Sequence, residues 1–156
     1  MFVVLFTRGN GWLGKVIRFF TKSKFNHVAF TYYDENFGQD MVVEAITSGF
    51  HVRPLSKLLS DSTIVHRVTL ANHYKPLPIL AKWLDKRYDF GGLIGEAFVK
   101  IAQLFKRRIK NPLASSSALF CSESAVKLLQ ELGYPGAETL VAETTDPQML
   151  YDFLQK

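Results

Sequence analysis

Phe25-Asn26-His27-Val28-Ala29-Phe30-Thr31-Tyr32-Tyr33 and Met41-Val42-Val43-Glu44-Ala45-Ile46-Thr47 are two apolar runs rich in aromatic and β-branched residues. The polar stretch Asp34 to Asp40, with Gly38 inside it, separates them. Such a pattern predicts two strands joined as a hairpin. Each strand carries one titratable group among apolar neighbours, His27 in the first and Glu44 in the second. A carboxylate without a partner in such surroundings is costly. A hairpin centred between Glu35 and Asn36 sets His27 directly opposite Glu44. Directly opposed residues share a face with Cβ atoms about 5 Å apart. A carboxylate beside an imidazole fixes its tautomer and stabilises the imidazolium. The plain alternative is a packed or edge histidine, and the pairing depends on the register of the loop.

Outward from the hairpin, Met1–Thr7 reads as a buried strand, and Gly49–Arg53 as a short extended piece ended by Pro54. Thr63–Leu70 reads as a further strand, with Val65, Arg67 and Thr69 facing opposite to Ile64, His66, Val68 and Leu70. Trp12–Lys22 has apolar residues at helical spacing. The later chain reads as helices over Pro76–Lys86, Gly92–Arg108 and Cys121–Leu132, the last stopped by Gly133 and Pro135. Asp146-Pro147 supplies a cap and first residue for a terminal helix to Leu154. Strands first and helices later predict an α+β class: a small antiparallel β-sheet packed against helices. The 156 residues suit one domain spanning 1–156, at roughly 100–200 residues per domain.

The chain has one cysteine, Cys121. That excludes an intrachain disulfide framework and a cysteine-rich zinc site within one chain. Hydrophobic residues make up 47% and charged residues 21%, a globular composition that argues against bulk disorder. The formal charge of +5 gives some attraction to polyanions, but the basic residues are spread and no nucleic-acid motif appears. The opening run Met1–Phe6 lacks a preceding basic region. The apolar-rich stretch Gly91–Phe105 is broken by Glu96 and Lys100 and falls short of the roughly 20 residues of a membrane span. The default expectation is therefore a cytoplasmic protein, with delivery by a phage as an alternative.

Cys121 opens the predicted helix Cys121–Leu132. A helix start favours the thiolate, the nucleophilic form of cysteine. The competing reading is a buried structural cysteine. A thiol nucleophile needs a base, and His27 is the candidate because Glu44 accompanies it. His66 shares a predicted face with Ile64 and Val68 and reads as packed. His73 falls in a polar loop, and His51, near Arg53, reads as a surface residue. No histidine pair has zinc-ligand spacing, so neither a metal nor a cofactor is expected.

His27, Glu44 and Cys121 in this order resemble the circularly permuted branch of the NlpC-type papain-like cysteine peptidase superfamily. That branch includes the YiiX-like proteins, and the lecithin-retinol-acyltransferase-like enzymes are relatives. Phe25-Asn26-His27-Val28-Ala29-Phe30 is similar to its His strand and Val43-Glu44-Ala45 to its acidic strand. Tyr88-Asp89-Phe90-Gly91 is similar to its Tyr-Asp motif and Phe120-Cys121-Ser122-Glu123-Ser124 to its nucleophile motif. Thr145-Asp146-Pro147 with Leu150 is similar to its closing helix start. Asn26 stands where the branch usually has Ser, Ala29 where it has Gly, and Asp146 separates Thr145 from Pro147.

The resemblance implies a permuted papain-like fold and a peptidase or amidase. Cys121 is then the nucleophile, His27 the base and Glu44 its orienter. The Cys121 backbone N–H at the helix start and the Tyr88 hydroxyl serve the substrate or oxyanion. The implied substrate is a small peptide or amide, such as a cell-wall stem peptide, and no partner protein is expected. A lipid-directed acyl hydrolase or acyltransferase is the alternative. For it, the Trp12–Phe20 face with Lys15, Arg18 and Lys22, and the Lys106–Lys110 cluster, would meet an anionic membrane. A non-enzymatic nucleic-acid-binding module is the further alternative and is disfavoured.

Overall fold

The computed structural model describes residues 1–9, 24–46, 49–85 and 113–156. The predicted helices Trp12–Lys22 and Gly92–Arg108, the Lys106–Lys110 cluster and Tyr88 lie outside the described residues. The described chain is α+β. Its strands are β1 (Phe2–Gly9), β2 (His27–Asp34), β3 (Gln39–Ile46), β4 (Gly49–Pro54) and β5 (Ser62–Leu70). They form one five-stranded sheet in the order β4-β3-β2-β1-β5, and every neighbouring pair is antiparallel. Its helices are α1 (Leu55–Asp61), α2 (Pro76–Asp85), α3 (Leu113–Glu131) and α4 (Pro147–Leu154). Among the described residues no helix is long and apolar enough to cross a membrane.

Alternation along the strands sends side chains to two unequal cores. Phe2, Val4, Phe6, Val28, Phe30, Val43 and Leu70 pack against Leu80 and Trp83 of α2 and against α3 and α4. Leu5, Ala29 and Val42 face the other way and are covered by Leu58 of α1. Helix α1 is absent from the sequence-based reading, which ends its extended piece at Pro54. A helix of this length shows too few turns for periodicity to reveal it.

Helix α3 buries Cys121, Ala125, Leu128 and Leu129, a stripe at helical spacing. Gly133 ends it with φ 64°, a left-handed conformation that glycine adopts without a Cβ penalty. Gly133 N–H donates to the Gln130 carbonyl and Tyr134 N–H to the Leu129 carbonyl, which satisfies two carbonyls at the helix end. At the other helix start anticipated from sequence, Asp146 caps α4 by accepting from Met149 N at 2.8 Å.

Two sequence expectations need correction here. The β2–β3 hairpin turns between Asn36 and Phe37, since its last pair is Asp34↔Gln39. Asp34 Oδ1 accepts from Asn36 N at 2.9 Å and Phe37 N at 3.2 Å, and Gly38 closes the loop at φ 62°. This turn chemistry, rather than the midpoint of the two titratable residues, sets the register. The second correction concerns β5. Phe6 pairs with His66 but Thr7 pairs with Ile64, so Val65 is an extra residue. The bulge reverses the alternation. Ile64 joins the core under α1, while Val65 and Val68 both pack on the helical side.

Beside this bulge Thr7 is fully buried, and its hydroxyl lacks a hydrogen-bond partner among the described residues. An unpaired buried hydroxyl destabilises, and an apolar side chain of the same shape removes that penalty. Thr7→Val is expected to leave the unfolding free energy unchanged or to raise it by up to about 1 kcal/mol, as read by urea denaturation.

Candidate active site

Three elements converge on the first residue of β2. The β2–β3 ladder ends at Ala29↔Glu44, so β3 does not pair with Val28. Val28 N–H donates to Cys121 Sγ of α3 at 3.3 Å, which ties α3 to the strand. The start of β2 is fixed from its other side by Asn26. Its Oδ1 accepts from Gly9 N at 2.8 Å, and its own N–H donates to the Thr7 carbonyl at 3.1 Å. A Cβ on Gly9 would come within 3.3 Å of Asn26 Nδ2, so glycine there permits the close approach.

His27 is not the direct partner of Glu44; Ala29 is. The true register differs from the expected one by two residues, and a shift of two keeps a side chain on its face, whereas a shift of one would reverse it. His27 and Glu44 are therefore diagonal neighbours, still within reach of long side chains. His27 Nε2 lies 2.8 Å from Glu44 Oε2. The ring also hydrogen-bonds the Cys121 side chain. With Nε2 engaged by Glu44, Nδ1 is the nitrogen left for the thiol.

By alternation Glu44 belongs to the α1 side of the sheet, with Ala29 and Val42, whereas Cys121 belongs to the α3 side. His27 bridges the two sides because it stands at the strand end, beyond the last β2–β3 pair. Cys121 is 1% exposed and Glu44 2%. The His27 side chain is 17% exposed and is the member of the set that solvent reaches most readily.

Sequence reasoning missed Arg53. Its Nε lies 2.5 Å from Glu44 Oε1, so the two carboxylate oxygens are held by two different cations. On β4, His51 is paired directly with Glu44 and Arg53 with Val42, which brings Arg53 diagonally to Glu44. The available signal was stoichiometric. A buried carboxylate has two oxygens to satisfy, and one ring nitrogen satisfies one of them.

Burial is the largest influence on Glu44 and pushes its pKa up. The hydrogen bonds and charges of His27 and Arg53 outweigh it and hold the carboxyl below its ordinary value. For His27, burial again acts most strongly and pulls the pKa down. The charge and hydrogen bond of Cys121, then those of Glu44, overcome it and raise the ring to about 10.

The expectation that Cys121 opens its helix is overturned. Helix α3 begins at Leu113, so Cys121 stands inside it. Inside an α-helix the backbone N–H bonds to the carbonyl four residues earlier. The Cys121 N–H is thus consumed and is not an oxyanion donor, and the helix terminus does not lie at the thiol. Val28 N–H and His27 are the groups that meet its sulfur. Tyr88 falls outside the described residues. His66 contacts Phe25 and Tyr151, and the His73 ring lies tilted against Tyr74; neither belongs to this network. Ser122 donates to the Thr145 carbonyl, and Glu123 pairs with Lys127, so both bond within the helical layer. Among the described residues no group of three or more His, Cys, Asp and Glu side chains could hold a metal ion. No family model, curated protein or solved structure matches this chain.

The two shifts give opposite pH dependences. His27 holds its proton more tightly folded than unfolded, so its contribution to stability is full below its ordinary pKa of 6.5 and is lost as pH rises towards about 10. Glu44 contributes above its ordinary value of 4.5 and loses that contribution as pH falls through its lower folded value. Melting curves of the wild type and His27→Gln are expected to differ most below pH 6.5 and to converge towards pH 10. A difference that is constant across this range would contradict the assignment.

Proposed function

We propose that this chain is a cysteine hydrolase that cleaves an amide bond through Cys121, His27 and Glu44. The observation that carries this reading is the His27 ring, hydrogen-bonded on one side to the only cysteine and on the other to a buried carboxylate. A nucleophile joined to a base, and a base joined to an orienting group, is the geometry nucleophilic catalysis requires. The chain order supports the permuted papain-like resemblance: His strand β2, acidic strand β3, then the helix α3 that carries Cys121.

In this scheme Cys121 Sγ attacks the carbonyl carbon while its proton resides on His27. The C–N bond breaks as His27 gives that proton to the departing amine, which leaves a thioester on Cys121. Water then attacks the thioester carbon, His27 takes a proton from it, and the sulfur departs with its electron pair. The products are a carboxylic acid and an amine. Glu44 keeps the ring oriented and stabilises the imidazolium in both halves. Substrate approaches from the His27 side, since Cys121 itself is almost fully enclosed. By resemblance the substrate is a short peptide or another small amide.

Iodoacetamide reacts with the thiolate, so its rate on native protein reports the nucleophile directly. A single adduct on Cys121 is expected by intact mass, and His27→Ala is expected to slow it by about a hundredfold or more. Incubation with a panel of peptide amides and phospholipids should then leave an acyl adduct on the wild type and none on Cys121→Ser. An adduct from phospholipids alone would redirect the proposal to lipid acyl chemistry. Equal labelling of wild type and His27→Ala would remove the nucleophile assignment.

A further inference from the structure

We propose that Arg53 is a positioning residue for His27: by holding Glu44 as a carboxylate inside the sheet, it keeps the His27 ring charged and turned towards Cys121. This rests on the reading of His27 as the partner of a nucleophilic Cys121. The geometry is a chain. Arg53 Nε takes Glu44 Oε1 at 2.5 Å, His27 Nε2 takes Glu44 Oε2 at 2.8 Å, and the ring continues to the Cys121 side chain. Arg53 acts on the ring only through the carboxylate between them.

The physical need for a second cation follows from burial. A carboxylate and an imidazolium together hold as many protons as a carboxylic acid and a neutral imidazole. In an enclosed site the neutral pair is favoured, because desolvation penalises both charges. Glu44 has 1% of its side chain exposed, so by itself it would tend to draw the proton from His27. A neutral His27 could not stabilise a thiolate. An added cation on the other oxygen tips the balance to the charged pair. Arginine suits this place, since it stays charged and is more weakly hydrated than an ammonium. Its side chain remains 33% exposed while its Nε reaches the carboxylate.

Among the described residues the groups around Glu44 are few. His27 comes from β2, and Arg53 and the directly opposed His51 come from β4. From α3, Cys121 acts through His27, whereas Glu123 and Lys127 pair with each other. From α1, Leu58 packs beneath the sheet, and Lys57 and Asp61 are exposed.

The sign of one titration tests the proposal. Nitrogen NMR of isotopically labelled histidine, with His27 assigned by loss of its signal in His27→Gln, reads the ring's charge directly. In Arg53→Gln the His27 pKa is expected to fall by about one unit or more, at least tenfold in its proton affinity, because Glu44 becomes protonated. Arg53→Lys should restore most of the wild-type value, since the charge is kept. If Glu44 remained ionised without Arg53, loss of a nearby cation would raise the His27 pKa. A rise, or no change, therefore overturns the proposal.

Should Arg53→Gln fail to fold, Glu44→Gln removes the buried charge and permits a second comparison. The Glu44→Gln variant is expected to lower the His27 pKa, and adding Arg53→Gln to it should shift that value by less than about half a unit. A larger further change means that Arg53 acts by another route and also overturns the proposal. The outcome is separable from that of the hydrolase reading. Equal iodoacetamide rates in wild type and His27→Gln would defeat the hydrolase reading, whereas the His27 titration would still show whether Arg53 governs the ring.

Discussion

Glu44 is a carboxylate set within a β-sheet at 2% exposure, and much of the structure around it reads as the means of keeping it there. Removing such a group from water is expensive unless both oxygens find partners. One partner comes from the strand before it and one from the strand after it. The sheet order β4-β3-β2 places Glu44 on the central strand of the three, with His27 on one flank and Arg53 on the other. The hairpins are therefore more than connections. A shift of one residue in either register would turn a cation to the opposite face and leave the carboxylate unpaired.

The second constraint is the place where the β2–β3 ladder stops. The ladder ends at Ala29↔Glu44, and the Val28 N–H goes to the sulfur of Cys121. That ending lets His27 leave the strict alternation of the sheet and touch groups belonging to both of its sides. Asn26 holds the strand end in position, its side-chain oxygen accepting from Gly9 N–H and its own N–H donating to the Thr7 carbonyl. Cys121 thus packs within the apolar layer formed by α3 and is also bonded to polar groups at the strand end. This buried, bonded sulfur is the atom proposed as the nucleophile.

Much of this was legible in the chain. The apolar and β-branched runs predicted β1, β2, β3 and β5, and β4 was read as a short extended piece. The Gly133 and Asp146-Pro147 signals located one helix end and one helix start. The pairing of His27 with Glu44 was anticipated from the cost of an unpaired carboxylate, although the assumed register was wrong. It survived because a shift of two residues preserves the face. The reading of Cys121 as a helix start did not survive. The polar run Ser115-Ser116-Ser117 suits a loop by composition, yet α3 runs through those positions, since local polar composition does not decide the matter when the following turns bury a continuous apolar stripe. Helix α1 and the β5 bulge were invisible, being features of packing rather than of periodicity.

By itself the sequence determined which chemical groups exist and what each requires. It supplied one thiol, a histidine and a carboxylate in strands that a hairpin joins, and an α+β class. Those follow from local rules, in which side-chain alternation and the desolvation of charge operate over a few residues. Only the tertiary structure decided that Arg53 closes the second side of Glu44, and that the thiol lies under a strand end rather than at a helix terminus. It also decided that His27 reaches both sides of the sheet. Each of these depends on the register and on where the ladder stops. Both are fixed by the Asp34–Gly38 turn and by core packing between segments far apart in the chain, which no local pattern encodes.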